Sequence, residues 1–308
     1  MVGTSYPHDL KESLCRRIHA GEKITHIEAE TDIDDATLRK WYRRWLKGSE
    51  PSSAPAEGPV EDKRWAGSPP SADITPTTAA QSIVLAIPDM HHPFVHPDAL
   101  EFLRAVKKQF NPNTYVCLGD ECDFAAFSRY IPDPDGLSPG KELERAIESL
   151  IPFYLEFPEM LVCESNHTVR PLKKMFEAGL PAAFLPTYAK MLNAPDGWVW
   201  RQNWQIDGVR YHHGDSGRTG QFAPAAYLKA FKQSHCHGHL HGHASVMYEG
   251  PYFGVNAGCL IDPQAYAFKY ARNHPIPVNL GCAIISNGSA AHFLPMHLDQ
   301  HGKWIGSI

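Results

Sequence analysis

Ile83-Val84-Leu85-Ala86-Ile87-Pro88-Asp89-Met90-His91 is the stretch from which the fold of this chain can be read. An unbroken apolar run rich in β-branched residues predicts a buried strand, and an acid and a histidine follow at once. The same grammar returns four times. Thr114 to Leu118 leads into Gly119-Asp120-Glu121-Cys122-Asp123, and Met160 to Cys163 leads into Ser165-Asn166-His167-Thr168. Val209 to His212 leads into His213-Gly214, and Ser234 to His237 into Gly238-His239-Leu240-His241. Between these runs, Asp98 to Gln109 and Gly140 to Ile151 read as helices. Strands alternating with helices predict an α/β fold, and polar residues just beyond strand ends collect at one sheet edge, where loops converge.

Further strands are expected near Val246 to Tyr248, Tyr252 to Asn256, Ala283 to Ser286 and Ala291 to Leu294. Asn287-Gly288 joins the last two, a pair suited to a hairpin turn that needs positive φ at both central positions.

The first part of the chain reads differently. Residues 48–81 hold Gly48, Pro51, Pro55, Gly58, Pro59, Gly67, Pro69, Pro70 and Pro76 among Ser, Ala and Thr, a composition expected of a flexible linker. Before it, residues 1–47 predict a small all-α unit. Leu10, Leu14 and Ile18 repeat at helical spacing, as do Leu38, Trp41, Tyr42 and Trp45; Ile24 to Glu30 forms a short helix between, and Asp34 is an N-cap. This is helix-turn-helix grammar, similar to the DNA-binding modules of transposases and phage terminases. Leu38 to Lys47 carries Arg39, Lys40, Arg43, Arg44 and Lys47 with no acid, whereas Met1 to Thr37 carries four basic residues against eight acidic ones. The positive charge thus sits on the helix that would enter a groove, and nucleic acid, DNA foremost, is the expected partner of residues 1–47. An oligomerisation module with a solvated basic face is the alternative.

Over 308 residues the formal net charge is −5, so any nucleic-acid contact must come from such a local patch. The seven cysteines are scattered and odd in number, which suits reduced thiols. No apolar run reaches the roughly 18 residues that span a bilayer, and the start has no signal-peptide core. No membrane association is expected, and a cytoplasmic location is.

The five polar motifs, in this order from about Ser82 to about Pro295, resemble the calcineurin-like metallophosphoesterase superfamily. Gly258-Cys259-Leu260-Ile261-Asp262 resembles a segment of its phage-encoded members, which would place the protein in a bacterial host cytoplasm. The resemblance implies a four-layer α/β/β/α sandwich with mixed sheets over residues 82–308. It also implies a ligand scheme: Asp89, His91 and His241 on one metal, Asn166, His213 and His239 on a second, and Asp120 bridging both. His167 would be the general acid and Asp123 would orient its ring, the bland reading of Asp123 being a helix N-cap. One departure stands out, since Ser165 occupies a position that is usually Gly and so puts the turn before Asn166 in question.

The chemistry has its own logic. Two divalent ions bring four positive charges, while Asp89, Asp120 and a bridging hydroxide bring three negative ones, leaving about one positive charge toward an anionic phosphate. A mixed nitrogen and oxygen donor set suits Mn, which is favoured, or Fe, Zn or Ni. The expected activity is phosphodiester hydrolysis on nucleic acid or nucleotides. The alternatives are a phosphomonoesterase and a non-catalytic DNA-binding or assembly protein. Arg129, in the Pro-, Asp- and Gly-rich stretch Ser128 to Gly140, is either a substrate-phosphate contact or a surface residue without a role. His92, His212, His237 and His243 flank the ligands and are expected in an outer layer or at the surface.

Overall fold

Leu14, Ile27, Ile33 and Leu38 are buried together, with Ile18, Ile24 and Trp41 packed against them, and this small core closes three helices. They are α1 (His8–His19), α2 (Ile24–Thr31) and α3 (Asp35–Gly48). In this computed structural model the described residues are 8–19, 22, 24–31, 33–48, 73–74, 81–128, 135–265, 267 and 277–308. Asp34 caps α3: its Oδ1 accepts the Thr37 backbone N–H at 2.9 Å and its Oδ2 the Thr37 hydroxyl at 2.7 Å. Arg17 is tied to Glu22 and Glu30 at 2.7 and 2.5 Å, so its charge is locally answered. Arg39 and Lys40 are exposed on α3; Arg43, Arg44 and Lys47 recur on the same helical face by spacing, and their side chains lie outside the described residues.

The chain divides into two compact units at residues 62/63, inside the stretch expected as linker. Within that stretch, β1 (Asp73–Ile74) nevertheless pairs as a strand in the second unit.

The second unit alternates as expected: β2 (Ile83–Ile87), α4 (Ala99–Phe110), β3 (Thr114–Cys117), α5 (Pro139–Glu156), β4 (Met160–Cys163). It continues through α6 (Arg170–Glu177), α7 (Tyr188–Met191), β5 (Trp198–Arg201), β6 (Asn203–Ile206) and β7 (Val209–His212). The remainder is α8 (Ala223–Phe231), β8 (His235–His237), β9 (Ser245–Glu249), β10 (Tyr252–Asn256), β11 (Gly281–Ser286) and β12 (Ala290–Pro295). Two six-stranded mixed sheets result, ordered β12-β11-β2-β3-β4-β5 and β1-β6-β7-β8-β10-β9. In the first, β2 to β5 run parallel and β11 antiparallel to β2.

Side-chain alternation along β2 shows how the layers stack. Leu85 and Ile87 point into a core shared with Phe102, Leu103 and Val106 of α4 and Leu150 and Phe153 of α5. Val84 and Ala86 point the other way, into a core shared with Trp204, Tyr211, Cys236 and Val255 of the second sheet. Helix α8 covers that sheet against β8 to β10. Both faces of β2 are therefore buried, which is why its sequence is continuously apolar rather than alternating. Each large side chain so buried contributes roughly 1.5–3 kcal/mol.

Three local features differ from, or refine, the sequence reading. Helix α5 does not stop at Ile151 but runs through Pro152 to Glu156, because Phe153 is 5% exposed and its burial offsets the backbone bond that Pro152 cannot make. Helices α6 and α7 and strands β5 and β6 fall in a stretch for which no elements were expected. Asn287 and Gly288 both have positive φ (52° and 61°), so the β11–β12 hairpin turn has the expected form. All seven cysteines are free and buried. Among the described residues, no helix is long and apolar enough to cross a membrane.

With so few residues in the α1–α3 core, Leu38→Ala should cost about 2–5 kcal/mol and open that unit alone. Hydrogen exchange should then show residues 8–48 losing protection while β2, β3 and β4 keep theirs.

Candidate metal centre

Parallel register brings the polar loops together. Ile87 pairs with Cys117 and Cys117 with Val162, so β2, β3 and β4 end side by side. His212 pairs with His237, so β7 and β8 end together in the other sheet. Backbone bonds then stitch the loops: His91 N–H to the Asp120 carbonyl at 2.8 Å, His92 N–H to that of Glu121 at 2.8 Å, and Gly238 N–H to that of His213 at 3.0 Å.

Two glycines make this packing possible. Gly119 has φ +98°, and a Cβ there would lie 2.8 Å from His213 Nδ1 and 2.9 Å from Ser165 Cβ. At Gly238 the obstacle is the acid itself, since a Cβ would fall 2.1 Å from Asp89 Oδ1. A side chain at either position would push one metal-site loop off another.

The donor atoms form two groups that share one residue. Asp89, His91, Asp120 and His241 place a donor atom each within 4.8 Å of one another, and so do Asp120, His213 and His239. Within the first, His241 Nε2 is 2.9 Å from Asp89 Oδ2 and His91 Nε2 is 3.3 Å from His241 Nε2. Within the second, His213 Nε2 lies 3.1 Å from His239 Nδ1 and 2.9 Å from Asn166 Oδ1, which adds Asn166 to that group. Asp120 Oδ2 stands between them, 3.5 Å from His91 Nε2 and 3.3 Å from His213 Nε2. All seven ligand candidates thus converge, in two groups that share Asp120.

The polar atoms left over indicate what these groups suit. Asp89 and Asp120 are 0% and 2% exposed, yet Asp89 Oδ1 and Asp120 Oδ1 have no hydrogen-bond partner among the described residues. A buried carboxylate oxygen without a partner is costly, and cations resolve that cost. The donor set of neutral imidazoles, one amide and two carboxylates fits two divalent transition-metal ions.

Electrostatics agree. Burial raises the carboxyl pKa of Asp120, but the imidazoles of His167, His213 and His91 outweigh it and hold the group well below the usual range. At Asp89 the His241 hydrogen bond and the nearby imidazoles likewise outweigh burial, and the net shift is downward. Conversely, burial lowers His213, but Asp120 and then Asp89 overcome it and push the ring up to about 10. Burial opposes His241 also, and its Asp89 hydrogen bond leaves it raised. In the metal-free protein, imidazolium supplies the positive charge that the buried acids demand.

Next to these groups lies a third, His91, Asp123 and His167. Asp123 Oδ1 is 2.6 Å from His91 Nδ1 and 3.3 Å from His167 Nδ1, so the carboxylate orients a ligand ring as well as the expected His167. Burial raises Asp123, but its bonds to both rings hold it well below the ordinary carboxylate range. The His167 ring is fixed chiefly by the Asp123 backbone: Nδ1 donates to that carbonyl at 2.6 Å, which leaves Nε2 3.7 Å from Asp120 Oδ2. Asp123 does not head a regular helix, so the N-cap reading has no support here.

Ser165 does not require a glycine conformation, since it is absent from the positive-φ residues. Instead its Oγ accepts the N–H groups of His167 at 3.2 Å and Thr168 at 3.1 Å, while Ser165 N–H donates to Thr168 Oγ1 at 3.2 Å. Ser and Thr together build the turn that glycine would otherwise permit.

Of the flanking histidines, His92, His212 and His237 are buried and His243 is half-buried. His92 bonds Ser149 Oγ at 2.7 Å, His237 donates to the Gly238 carbonyl at 2.8 Å, and His212 stacks on His237 with ring centroids 5.5 Å apart. Neither His212 nor His243 enters the donor groups. Arg129 lies outside the described residues. Sequence reading missed Arg170, whose Nη2 is 2.7 Å from His167 Nε2. The only signal for it was a basic residue three positions past the motif histidine.

No protein-family description matches the chain, and no curated protein matches it. Solved structures with a related fold include Vacuolar Protein Sorting 29 from Cryptosporidium parvum, 12% identical, covering 67% of this chain and 85% of that one with a TM-score of 0.39. Yfce, a phosphoesterase from E. coli, is 15% identical, covers 66% of this chain and 90% of that one, and has a TM-score of 0.32. A conserved protein from Streptococcus pneumoniae TIGR4, described as a predicted phosphoesterase, is 13% identical over 68% of this chain and 84% of that one, with a TM-score of 0.30. Likeness at this level carries nothing about substrate or activity; the residues must do so.

Two outcomes follow from the geometry. Gly238→Ala should weaken metal retention roughly tenfold or more, measured as metal content after dialysis, with the far-ultraviolet dichroism unchanged. Because His213 titrates near 10 and His241 is raised, metal must displace protons at neutral pH. Calorimetry in buffers of different ionisation enthalpy should register proton release, and metal affinity should fall as pH is lowered.

Proposed function

We propose that this chain is a metal-dependent phosphoesterase whose favoured substrate is a phosphodiester of nucleic acid or a nucleotide. The observation that carries the first half is the pair of donor groups sharing Asp120, with buried carboxylate oxygens on Asp89 and Asp120 that bound cations would satisfy. Asp89, His91 and His241 would hold one ion, Asn166, His213 and His239 the other, with Asp120 between. Bound there, a pair of divalent ions supplies a hydroxide nucleophile at neutral pH and neutralises phosphoryl charge.

The remaining work falls to the protein. His167 Nε2 faces the shared acid, with Nδ1–H held on the Asp123 carbonyl. It accepts from Arg170 Nη2, so it is the ring nitrogen suited to pass a proton to a leaving oxygen once that hydrogen bond is released and the ring has taken up a proton. The Asp123 carboxylate, against both His91 and His167, keeps the metal ligand and the acid in one fixed relation. His92, with burial pushing its pKa down to about 3, stays neutral and serves as packing through its ring contact with Phe153.

The second half rests on α3, with Arg39 and Lys40 exposed and three more basic residues at the same helical spacing. Such a helix tethered to a catalytic unit raises the local concentration of polynucleotide.

Purified protein with Mn, given a chromogenic phosphodiester and the matching monoester, should turn over the diester, and Asp120→Asn should abolish turnover. Activity surviving in Asp120→Asn would sink the two-metal reading, and a strong monoester preference would replace the diesterase reading by the phosphatase one. Neutralising Arg39, Arg43 and Arg44 together should slow polynucleotide cleavage several-fold while sparing the chromogenic diester; equal loss on both would remove the nucleic-acid role of residues 1–47.

A further inference from the structure

Arg170, the first residue of α6, brings a guanidinium to the edge of the donor groups, close enough to Glu142 for the two charges to interact. Its Nη1 donates to the backbone carbonyls of Asp123 at 2.7 Å and Phe124 at 3.4 Å, and its Nη2 reaches His167 Nε2 at 2.7 Å. Among the described residues it makes no ion pair. Glu142 feels the Arg170 charge without a direct contact, its two oxygens accepting the N–H groups of Ala125 and Ala126 at 2.6 and 2.8 Å. Arg170 is half-buried, and among the described residues its hydrogen bonds use Nη1 and Nη2 but not Nε.

The guanidinium of Arg170 ends on two neutral carbonyls and on the ring nitrogen that faces Asp120. The Asp123 carbonyl receives both Arg170 Nη1 and His167 Nδ1, so a single backbone oxygen aligns the guanidinium with the imidazole. Planar guanidinium presents paired N–H groups that match phosphate oxygens, and a carbonyl-anchored fork leaves those groups free to do so.

Resting on the phosphoesterase reading of this centre, we propose that Arg170 is a substrate-binding residue that holds a non-bridging oxygen of the substrate phosphoryl group beside His167. A phosphodiester offers two non-bridging oxygens and a monoester three. A centre with two cation-binding groups and a guanidinium therefore has one more oxygen-binding partner than a diester can fill. Arg170 should matter more for a terminal phosphate than for an internal one.

Inorganic phosphate is the direct probe, because it binds without turnover. Calorimetric titration into the Mn-loaded full-length protein should show Arg170→Gln weakening phosphate at least tenfold at unchanged metal content. Arg170→Lys, which keeps the charge but not the fork, should fall between. Lys174→Gln, which removes a charge from the same helix where Lys174 pairs with Glu177 at 2.8 Å, should leave phosphate affinity as it was. In turnover, Arg170→Gln should raise KM for the chromogenic monoester more than for the diester, with a smaller change in kcat. Equal phosphate affinity in Arg170→Gln and the unaltered protein overturns the proposal whatever the activity, as does loss of metal that accounts for the whole change. If the unaltered protein hydrolyses neither ester yet binds phosphate through Arg170, the catalytic reading fails and the binding role stands.

Discussion

Two ionised carboxylates, Asp89 and Asp120, are buried with oxygens within 4.8 Å of each other, and the arrangement around them answers that constraint. At an effective dielectric of about 20 their mutual repulsion alone is on the order of 3 kcal/mol, before any desolvation. Imidazoles from four separate loops surround them, and two carboxylate oxygens still lack a partner among the described residues. A folded protein tolerates such a pair when cations or imidazolium restore the balance. Positive charge at this place is thus a requirement of the fold's electrostatics, which imidazolium or bound cations can meet.

Holding that pair requires backbone precision more than side-chain bulk. Loops leave two different sheets and interlock through main-chain bonds, with His239 N–H donating to Asp89 Oδ2 at 2.8 Å across the join. Gly119 and Gly238 are the points where one loop meets the next too closely for a Cβ. Asn256 extends the bracing outward: its amide donates to the Leu240 carbonyl at 2.8 Å, between His239 and His241, and its Oδ1 accepts from Gly258 at 3.2 Å. The Gly258–Asp262 segment returns to the centre when Leu260 N–H bonds the Asp89 carbonyl at 2.8 Å, which gives a structural reason for a stretch first noticed only as a resemblance.

Much of the fold was legible because strand identity is a local property. Met160 to Cys163, Val209 to His212 and Tyr252 to Asn256 were expected with the bounds they have, since apolar runs bounded by turn residues leave few options. Strands β5 and β6 were missed although Trp198, Trp200, Trp204 and Ile206 alternate with more exposed neighbours, a two-residue period that could have been read. Pro152 misled for a different reason: its local cost was visible, while the burial of Phe153 that offsets it belongs to the tertiary core.

By itself the sequence determined which residues could carry chemistry and in what order strands would deliver them, because motif spacing and hydrophobic period act over short distances. Only the tertiary structure decided how the rings are turned. Asp123 meets His91 more closely than His167, Ser165 serves its turn through hydrogen bonds instead of glycine's freedom, and Arg170 arrives at His167 by way of a backbone carbonyl. Each of these depends on atoms far apart in the chain meeting within a hydrogen-bond length, and no local pattern encodes that distance.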